Sequence, residues 1–250
     1  MNKRIMIVGA GWRGGMLKDA YPDSILLGRG DSLDRSFDVL INAAAKTNID
    51  WCENNKEETL NSNVGLAANL AHWCKVNRRK YVFISSACIF ESQDINDIKY
   101  EDSKPNPACF YAETKVMAEK LIQEINPDAL IIRIRLPLSE VSHPRNTITK
   151  ILTYDQLSTN QESATIIEDA IPYMLHLIGK GESGVFHLIN EGTISPDEIG
   201  DLFKHPHTKV SKQDQDARLA KEGRATRVTT YASSKKIPLL PNIRERMVEL

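Results

Sequence analysis

The stretch Ile5-Met6-Ile7-Val8-Gly9-Ala10-Gly11-Trp12-Arg13-Gly14 decides the fold. Its first four residues are uniformly apolar, which predicts a buried strand. Gly9, Gly11 and Gly14 then make a GxGxxG pattern at the point where a helix is predicted to begin. Glycines at these positions permit a tight turn and let backbone amides approach a pyrophosphate at the helix N-terminus. The stretch therefore predicts a dinucleotide-binding turn that includes Trp12 and Arg13.

Short apolar runs alternate with helical patterns through the first two-thirds of the chain, which indicates βαβ units. The predicted strands lack polar alternation, as expected for strands covered on both faces; they are Arg4–Val8, Ser24–Leu27, Asp38–Asn42, Tyr81–Ser85 and Ile131–Ile134. The predicted helices are Gly14–Ala20, Thr59–Val76 and Tyr111–Glu124. We therefore predict an α/β fold, a Rossmann-like doubly wound parallel sheet with a small C-terminal substrate-binding lobe.

The character of the sequence changes after Pro137. We predict a nucleotide-binding core over residues 1–137 and a smaller lobe over residues 138–250, integrated with the core so that one strand and helices can return to it. Within the lobe we predict a helix from Pro144 to Leu152, a strand at Val185–Ile189, and a helix capped by Ser195 with Pro196 in its first turn. The charged segment Lys209–Arg227 is predicted to be an exposed helix or loop.

Length and charge narrow the class of protein. The chain has 250 residues with 32 Lys plus Arg against 33 Asp plus Glu, which predicts neither a nucleic-acid partner nor a membrane surface. Its apolar runs are too short to span a bilayer, and the N-terminus lacks the pattern of a signal peptide. The cysteines have neither metal-ligand spacing nor the density of a disulfide scaffold; they are Cys52, Cys74, Cys88 and Cys109. We expect a cytoplasmic protein with reduced thiols and no metal.

The second predicted strand ends in Leu27-Gly28-Arg29-Gly30-Asp31. An acid at this place accepts the ribose hydroxyls of a dinucleotide, whereas an arginine favours a 2′-phosphate. Arg29 therefore favours NADPH over NADH, and the neighbouring Asp31 keeps NADH open. The alternative is a solvated loop arginine with no ligand.

Tyr111 and Lys115 lie four residues apart in a helical pattern, so their side chains project from one face. A tyrosine with a reference pKa near 10 needs a stabilised phenolate to move protons at neutral pH, and a nearby ammonium supplies that stabilisation. Ser86 follows the end of a buried strand, where its hydroxyl can polarise a carbonyl. Together with the glycine turn, these residues predict hydride-transfer chemistry in preference to ordinary helix packing.

Residues 1–137 resemble the extended short-chain dehydrogenase/reductase family, and especially its dehydrorhamnose reductase branch. The segments that carry this resemblance are 38–45, Asn63-Val64, Ile84-Ser85-Ser86 and Tyr111-Ala112-Glu113-Thr114-Lys115. A plant-type branch, the nucleotide-rhamnose synthase/epimerase-reductases, is similar through residues 11–15, 48–53, 88–91, 133–137 and 144–150. The resemblance runs to about residue 190 and is loose beyond Lys209. The glycine turn is one residue shorter than the GxxGxxG of the extended family.

The resemblance implies an enzyme that epimerises C3 and C5 of a UDP- or dTDP-linked 4-keto-6-deoxyglucose and then reduces C4 with NADPH. Ser86, Tyr111 and Lys115 match the reductase triad, and Cys88 and Lys150 match the acid–base pair of epimerisation. Positions that border the cofactor or the substrate also match; they are Asn42, Ala43, Ala44 and Pro137 for the cofactor, and Asn48 and Cys88 for the substrate.

Each of these roles has a plainer alternative. A cysteine just after a buried strand is most often a core residue, and a lysine near a helix is usually solvated. Arg145 and Asn146 are either contacts to the sugar or its phosphates, or a surface pair at a helix start. Cys52 is expected to shape the substrate loop and Cys74 to lie in a helix core, while Cys109 is assigned no role.

Three hypotheses remain open. The first is the bifunctional epimerase-reductase, the second is a dehydrorhamnose reductase without epimerase activity, and the third is a non-catalytic NADP-binding regulatory subunit. Cys88 and Lys150 separate the first two, and an intact Ser86, Tyr111 and Lys115 argue against the third. The resemblance also implies a homodimer that pairs through helices 59–76 and 111–124.

Overall fold

The computed structural model describes residues 3–33 and 36–250. Its strands are β1 Ile5–Val8, β2 Ile25–Leu27, β3 Val39–Asn42, β4 Lys80–Ser86, β5 Leu130–Ile134, β6 Pro137–Leu138, β7 Gln156–Ser158, β8 Thr165–Ile166, β9 Gly184–His187, β10 Asn190–Glu191, β11 Thr208–Val210 and β12 Leu240–Asn242. Its α-helices are α1 Trp12–Ala20, α2 Ile49–Asn54, α3 Lys56–Leu60, α4 Leu66–Val76, α5 Phe110–Ile125, α6 Thr147–Ile151, α7 Ile167–Lys180, α8 Pro196–Leu202, α9 Lys212–Lys221 and α10 Ile243–Glu249.

Six strands of the described chain form one sheet in the order β2-β1-β3-β4-β5-β9. The pairs β1–β2, β1–β3 and β3–β4 are parallel. Strands β3, β4 and β5 are almost entirely buried, which explains why their sequences lack polar alternation. Because β1 pairs with β2 on one side and β3 on the other, the connections diverge at its carboxyl end, where open α/β sheets bind ligands.

The predicted α/β fold with its parallel central sheet is confirmed. All five predicted N-terminal strands are present within a residue or so of their predicted bounds. One predicted helix differs, because Thr59–Val76 is not continuous: a π-helical turn at Asn61–Gly65 separates α3 from α4. An inserted residue of this kind keeps the hydrophobic face toward the core on both sides, so periodicity alone does not detect it.

The chain divides into two compact units that interleave along the sequence. Unit 1 contains the described residues up to Ser86 together with Phe110–Ile132 and Leu175–Phe186. Unit 2 contains Ala87–Cys109, Arg133–Met174 and His187–Leu250. These units do not follow a single break after Pro137, because the segment after β4 packs with later residues, whereas Leu175–Phe186 rejoins the N-terminal part. Such a return to the core was allowed for in the sequence prediction.

Unit 1 has a core between the sheet and its helices, built from Met6, Leu40, Phe83, Ile122 and neighbouring apolar side chains. Cys74 lies fully buried in this core, as predicted, and its pKa is raised to about 12 by burial. Tyr81 is also fully buried, and its hydroxyl donates to the carbonyl oxygen of Ala67 at 3.1 Å.

Unit 2 has its own core, to which α6, α8 and α10 contribute Ile148, Ile199 and Ile243. Helix α8 begins as predicted, with Pro196 in its first turn and Ser195 as N-cap in a capping box with Glu198. The helix predicted from Pro144 starts later, at Thr147. The charged C-terminal segment forms α9, capped by Ser211.

None of the helices in the described residues is both long enough and apolar enough to cross a membrane. All four cysteines are free thiols; Cys88 is partly exposed, and the other three are buried.

Candidate active site

The glycine turn after β1 is closely packed against the residue stretch that follows β3. Gly9 has φ of 109°, and a Cβ built on it would lie 2.6 Å from the amide nitrogen of Ala44. A Cβ on Gly14 would lie 2.0 Å from the carbonyl oxygen of Gly9. Both positions therefore require glycine, one because of backbone conformation and the other because helix α1 passes directly over the turn.

Helix α1 begins at this turn with an N-terminus suited to an anion. Among the described residues, no side chain caps α1 at Gly11, and no acidic residue lies in its first turn, which contains Trp12 and Arg13. The first amides of a helix have no intrahelical acceptor, and the helix dipole adds partial positive charge there. The turn and the helix start thus fit the pyrophosphate of a nicotinamide dinucleotide.

The loop after β2 uses its acid for its own structure. The Oδ2 atom of Asp31 accepts a hydrogen bond from the amide of Gly28 at 2.8 Å, which closes the loop. Arg29, at the tip of this loop, is exposed. Of the two residues that left the cofactor preference open, Asp31 is thus engaged with the backbone and Arg29 faces solvent.

Asn42 at the end of β3 shapes the stretch predicted to border the cofactor. It is 1% exposed, its amide nitrogen donates to the hydroxyl of Tyr81 at 2.9 Å, and its Oδ1 accepts from the amide of Ala44 at 3.0 Å. The side chain therefore holds Ala43 and Ala44 beside the glycine turn.

Tyr111 and Lys115 lie one turn apart near the start of α5 and are 5% and 1% exposed. The Nζ of Lys115 donates to the carbonyl oxygen of Ile84 at 3.1 Å and sits 4.5 Å from the centre of the Phe83 ring. A buried cation needs such partners, and the carbonyl dipole and the ring face supply them. Lys115 therefore ties α5 to β4 two residues before Ser86, the last residue of that strand.

A second contact between α5 and β4 was not predicted from the sequence. The hydroxyl of Ser85 donates to Oε1 of Glu119 at 2.5 Å, and both side chains are buried. Glu119 follows Lys115 by one helical turn, so it lies on the same face of α5 as Tyr111 and Lys115. The only signal in the sequence was an acid at helical spacing, which is usually solvated.

Asn63 was also missed as a site residue, although its segment carried the family resemblance. The π-helical turn holds it 1% exposed, with its amide nitrogen 3.1 Å from Oγ1 of Thr114 and 3.0 Å from the carbonyl oxygen of Lys46. Its Oδ1 accepts from the amide of Lys46 at 2.8 Å. Since Thr114 donates to the carbonyl of Tyr111 at 2.7 Å, Asn63 fastens the loop after β3 to the helix of the predicted triad.

In unit 2, Cys88 lies in a 3₁₀ turn, Ala87–Ile89, immediately after β4. The Nη1 of Arg135 donates to its Sγ at 3.1 Å. The Nη2 of the same guanidinium donates to the carboxylate of Glu162 and, at 2.5 Å, to the carbonyl oxygen of Val228. The sequence marked Arg135 only as part of a family motif.

Lys150 lies in the last turn of α6, with an exposed side chain. Although the side chain as a whole is exposed, nearby protein atoms partly desolvate the ammonium, and this desolvation together with the positive charge of Arg145 lowers the pKa of Lys150. Asn146 caps α6, and its amide is engaged with Ile148, Ser139 and Val141. Of the predicted pair at the helix start, Arg145 is the exposed member.

The remaining predicted positions lie in the connecting segments. Asn48 caps α2 by accepting from the amide of Trp51 at 3.0 Å. The Sγ of Cys52 donates to the carbonyl of Lys46, and burial raises its pKa, so it has a structural place in that loop. Pro137 opens β6, which pairs with β8.

A parallel sheet with a glycine turn after its first strand, and a buried Tyr-x-x-x-Lys helix beside a serine-ended strand, together define a short-chain dehydrogenase/reductase fold. The family model described as RmlD substrate binding domain matches residues 31–218. The chain belongs to that family.

Curated relatives agree with this assignment. A trifunctional UDP-glucose 4,6-dehydratase/UDP-4-keto-6-deoxy-D-glucose 3,5-epimerase/UDP-4-keto-L-rhamnose-reductase of Arabidopsis thaliana is 31% identical over 80% of this chain and 34% of its own length. A bifunctional dTDP-4-dehydrorhamnose 3,5-epimerase/dTDP-4-dehydrorhamnose reductase of the same plant is 30% identical over 78% of this chain and 72% of its own. The chain thus spans about a third of the length of the trifunctional relative.

Solved structures share the fold over the whole chain. The L780 UDP-rhamnose synthase of Acanthamoeba polyphaga mimivirus has a TM-score of 0.86 at 24% identity and covers 99% of this chain and 98% of its own. The dTDP-4-dehydrorhamnose reductase of Bacillus anthracis, in complex with NADP, has a TM-score of 0.81 at 19% identity and covers 100% and 98%.

Proposed function

We propose that the chain is an NADPH-dependent reductase of a UDP- or dTDP-linked 4-keto-6-deoxy sugar that also epimerises C3 and C5, so that the product is the L-rhamnose nucleotide. The main observation behind this proposal is the buried pair Tyr111 and Lys115. The ammonium of Lys115 donates a hydrogen bond to the carbonyl oxygen of Ile84 on β4, two residues before Ser86. Relatives at about 30% identity bear names for both the reductase and the epimerase reactions, which supports this assignment.

In the reductive half, bound NADPH supplies a hydride to C4 of the sugar. The hydroxyls of Ser86 and Tyr111 donate to the C4 oxygen and stabilise the negative charge that develops there. Tyr111 then gives its proton to that oxygen, and the ammonium of Lys115 stabilises the resulting phenolate. The hydrogen bond from Lys115 to Ile84 and the Ser85–Glu119 contact keep α5 and β4 in register for this transfer.

The cofactor is NADPH in this proposal because Arg29 is exposed at the tip of the loop after β2, whereas Asp31 accepts from Gly28. A guanidinium forms bidentate contacts with a phosphate, so it suits the 2′-phosphate that distinguishes NADPH from NADH. The glycine turn, with Gly9, Gly11 and Gly14, and the stretch Asn42–Ala44 are the proposed contacts to the rest of the dinucleotide, with Pro137 at the border.

Epimerisation uses the same keto group. C3 and C5 are both next to C4, so their protons become acidic only when the developing enolate oxygen is stabilised, and Ser86 and Tyr111 provide that stabilisation. Inversion further requires a base on one face of the ring and an acid on the other. We propose Cys88 and Lys150 for these roles, with Asn48, Arg145 and Asn146 near the substrate; of the last two, the exposed Arg145 is the better contact for a phosphate.

Deuterium uptake tests this proposal. When the protein is incubated with UDP- or dTDP-4-keto-6-deoxyglucose in deuterated water without NADPH, we expect deuterium at C3 and C5, detected by NMR and mass spectrometry. Adding NADPH or NADH in parallel samples then reveals the preferred reductant and nucleotide. Reduction of the keto sugar without deuterium at either carbon would show that the protein is a reductase without epimerase activity.

Two variants test whether Cys88 takes part in epimerisation. We expect Cys88→Ser to lower the rate of deuterium uptake at least about a hundredfold, because a hydroxyl is a far weaker base than a thiolate at neutral pH. Cys109→Ala removes a buried thiol that we assign no role and should leave uptake unchanged. Equal rates in the two variants would remove Cys88 from the mechanism.

We further propose a homodimer through the surface of α4 and α5. Met117 and Leu121 of α5 are 44% and 37% exposed, and Leu60 and Val76 add exposed apolar side chains on the α3–α4 segment. Sedimentation of the protein at micromolar concentration should give a dimer, and Met117→Glu with Leu121→Glu should give a folded monomer, because buried unpaired charges of like sign oppose association. A monomer before substitution contradicts the proposal.

A cytoplasmic location stays a prediction from the sequence.

A further inference from the structure

Cys88 is in contact with a permanent positive charge. The Nη1 of Arg135 donates to Sγ at 3.1 Å, and Arg135 is 7% exposed. A guanidinium is always protonated in proteins, so the hydrogen bond to sulfur is charge-assisted. Such a bond stabilises a thiolate more than a thiol, because only the thiolate carries a full negative charge.

The guanidinium is held in this orientation from its other side. Its Nη2 donates to the carboxylate of Glu162 and to the carbonyl oxygen of Val228, and the backbone amide of Arg135 donates to Oγ1 of Thr165 at 3.0 Å. Burial raises the pKa of Glu162, while the charge of Arg135 acts in the opposite direction. Breaking a buried ion pair leaves an uncompensated charge, so Arg135 has little freedom to turn away.

The turn that carries the sulfur is fastened to the same C-terminal segment. The hydroxyl of Thr230 donates to the carbonyl oxygen of Phe90 at 2.8 Å, and the amide of Ser92 donates to the carbonyl oxygen of Thr229 at 2.9 Å. Since Val228 accepts from Arg135, one short segment holds both members of the sulfur–guanidinium contact. Hydrogen bonds within unit 2 therefore hold both Arg135 and the turn that carries Cys88.

We infer that Arg135, oriented by Glu162, is the positioning residue that holds Cys88 as the thiolate base for proton removal beside the keto carbon. This inference rests on the proposed epimerase function. Cys88 is also the cysteine whose side chain is partly exposed, whereas Cys52, Cys74 and Cys109 are buried. Base chemistry at this sulfur therefore has access that the other thiols lack.

The step balances without any oxidant or reductant. The thiolate takes the proton from C3 or C5, so that one C–H bond breaks and one S–H bond forms. The C–H electron pair becomes the C=C bond of an enolate, and the π pair of C4=O moves to oxygen. These electrons return when an acid on the opposite face of the ring protonates the carbon. The thiol then loses its proton to solvent, and the opposite acid regains one.

Alkylation of Cys88 by iodoacetamide at pH 7, followed by peptide mass spectrometry, tests the inference on the full chain without substrate. Because only the thiolate reacts, we expect the double variant Arg135→Gln/Glu162→Gln to react about tenfold more slowly than the unaltered protein. Replacing both charges avoids the unpaired buried carboxylate of Glu162 that loss of Arg135 alone would leave. In Glu162→Gln the amide oxygen of Gln can still accept from Nη2, and Val228 still accepts as well, so the guanidinium keeps its orientation while the competing negative charge is lost. This variant should therefore react at least as fast as the unaltered protein.

The alkylation rates are interpreted together with measurements of folding and of epimerisation. Circular dichroism and NADPH fluorescence establish that each variant is folded, and deuterium uptake at C3 and C5 should fall with the alkylation rate. Equal alkylation in the double variant and in Glu162→Gln overturns the role of Arg135, even if the unaltered protein takes up deuterium. Alkylation that depends on Arg135, in a protein that takes up no deuterium, instead overturns the epimerase proposal and with it the role of the thiolate as a base.

Discussion

Replacing Tyr111 by Phe is expected to lower kcat for keto-sugar reduction about a thousandfold, within the range typical of a lost general acid. Phe keeps the ring in its buried place on α5 but has no proton to give to the C4 oxygen. The loss should appear in kcat and not in the affinity for NADPH, because the glycine turn and Arg29 are untouched. Stopped-flow oxidation of NADPH at saturating keto sugar measures the first quantity, and fluorescence titration measures the second.

Tyr100→Phe serves as the matched control. Tyr100 makes its ring contact with the ammonium of Lys235, and Phe preserves that ring, so the variant should reduce the sugar at the unaltered rate. If Tyr111→Phe also kept full activity, Tyr111 would not be the proton donor. A protein that bound NADPH and reduced no keto sugar before substitution would instead favour the regulatory subunit considered from the sequence.

Gly14→Ala is expected to destabilise the protein by about 3 kcal/mol and to weaken NADPH binding at least about tenfold. The added methyl group would lie 2.0 Å from the carbonyl oxygen of Gly9 and 3.1 Å from its carbonyl carbon, and both atoms belong to the backbone. The clash therefore cannot be relieved by a change of rotamer, and α1 must move away from the turn. Urea unfolding and fluorescence titration give the two values.

The next residue provides the control. Outside the adjoining backbone of α1, a Cβ on Gly15 would have no atom of the described residues within 4 Å, and Gly15 lies inside α1. Gly15→Ala should therefore stabilise the protein by about 0.5 kcal/mol through the lower entropy of its unfolded chain. Equal effects of the two substitutions would show that helix propensity, and not the approach of α1 to Gly9, controls this turn.

The local elements followed from the sequence because their causes are local. Apolar runs buried on both faces predicted β1 to β5, and Ser195 followed by Pro196 and Glu198 predicted the start of α8. The π-helical turn was missed, since the hydrophobic face continues through it. The three residues of the predicted triad are buried, and their catalytic roles stay predictions.

Contacts between residues that are far apart in the sequence could not be predicted in this way. Arg135 was one residue of a motif, and nothing near it in sequence marked Cys88, 47 positions away, or Val228, 93 positions away, as its partners. Glu119 likewise looked like an ordinary polar helix residue until Ser85 was found beside it. Asn63 was marked only as part of a family motif, and its contact with Thr114 had no signal in the sequence. A buried polar side chain is defined by its partner, and single-sequence patterns record only which residues avoid water.

The sequence by itself determined the parallel sheet, the glycine turn and the Tyr-x-x-x-Lys helix, because strand burial, backbone freedom at glycine and helical spacing are properties of neighbouring residues. Only the tertiary structure decided that Asp31 closes its own loop while Arg29 is exposed, and that the partly exposed Cys88 receives a hydrogen bond from Arg135. These assignments depend on which polar groups compete for the same partner once the chain has folded, and that competition has no local signature.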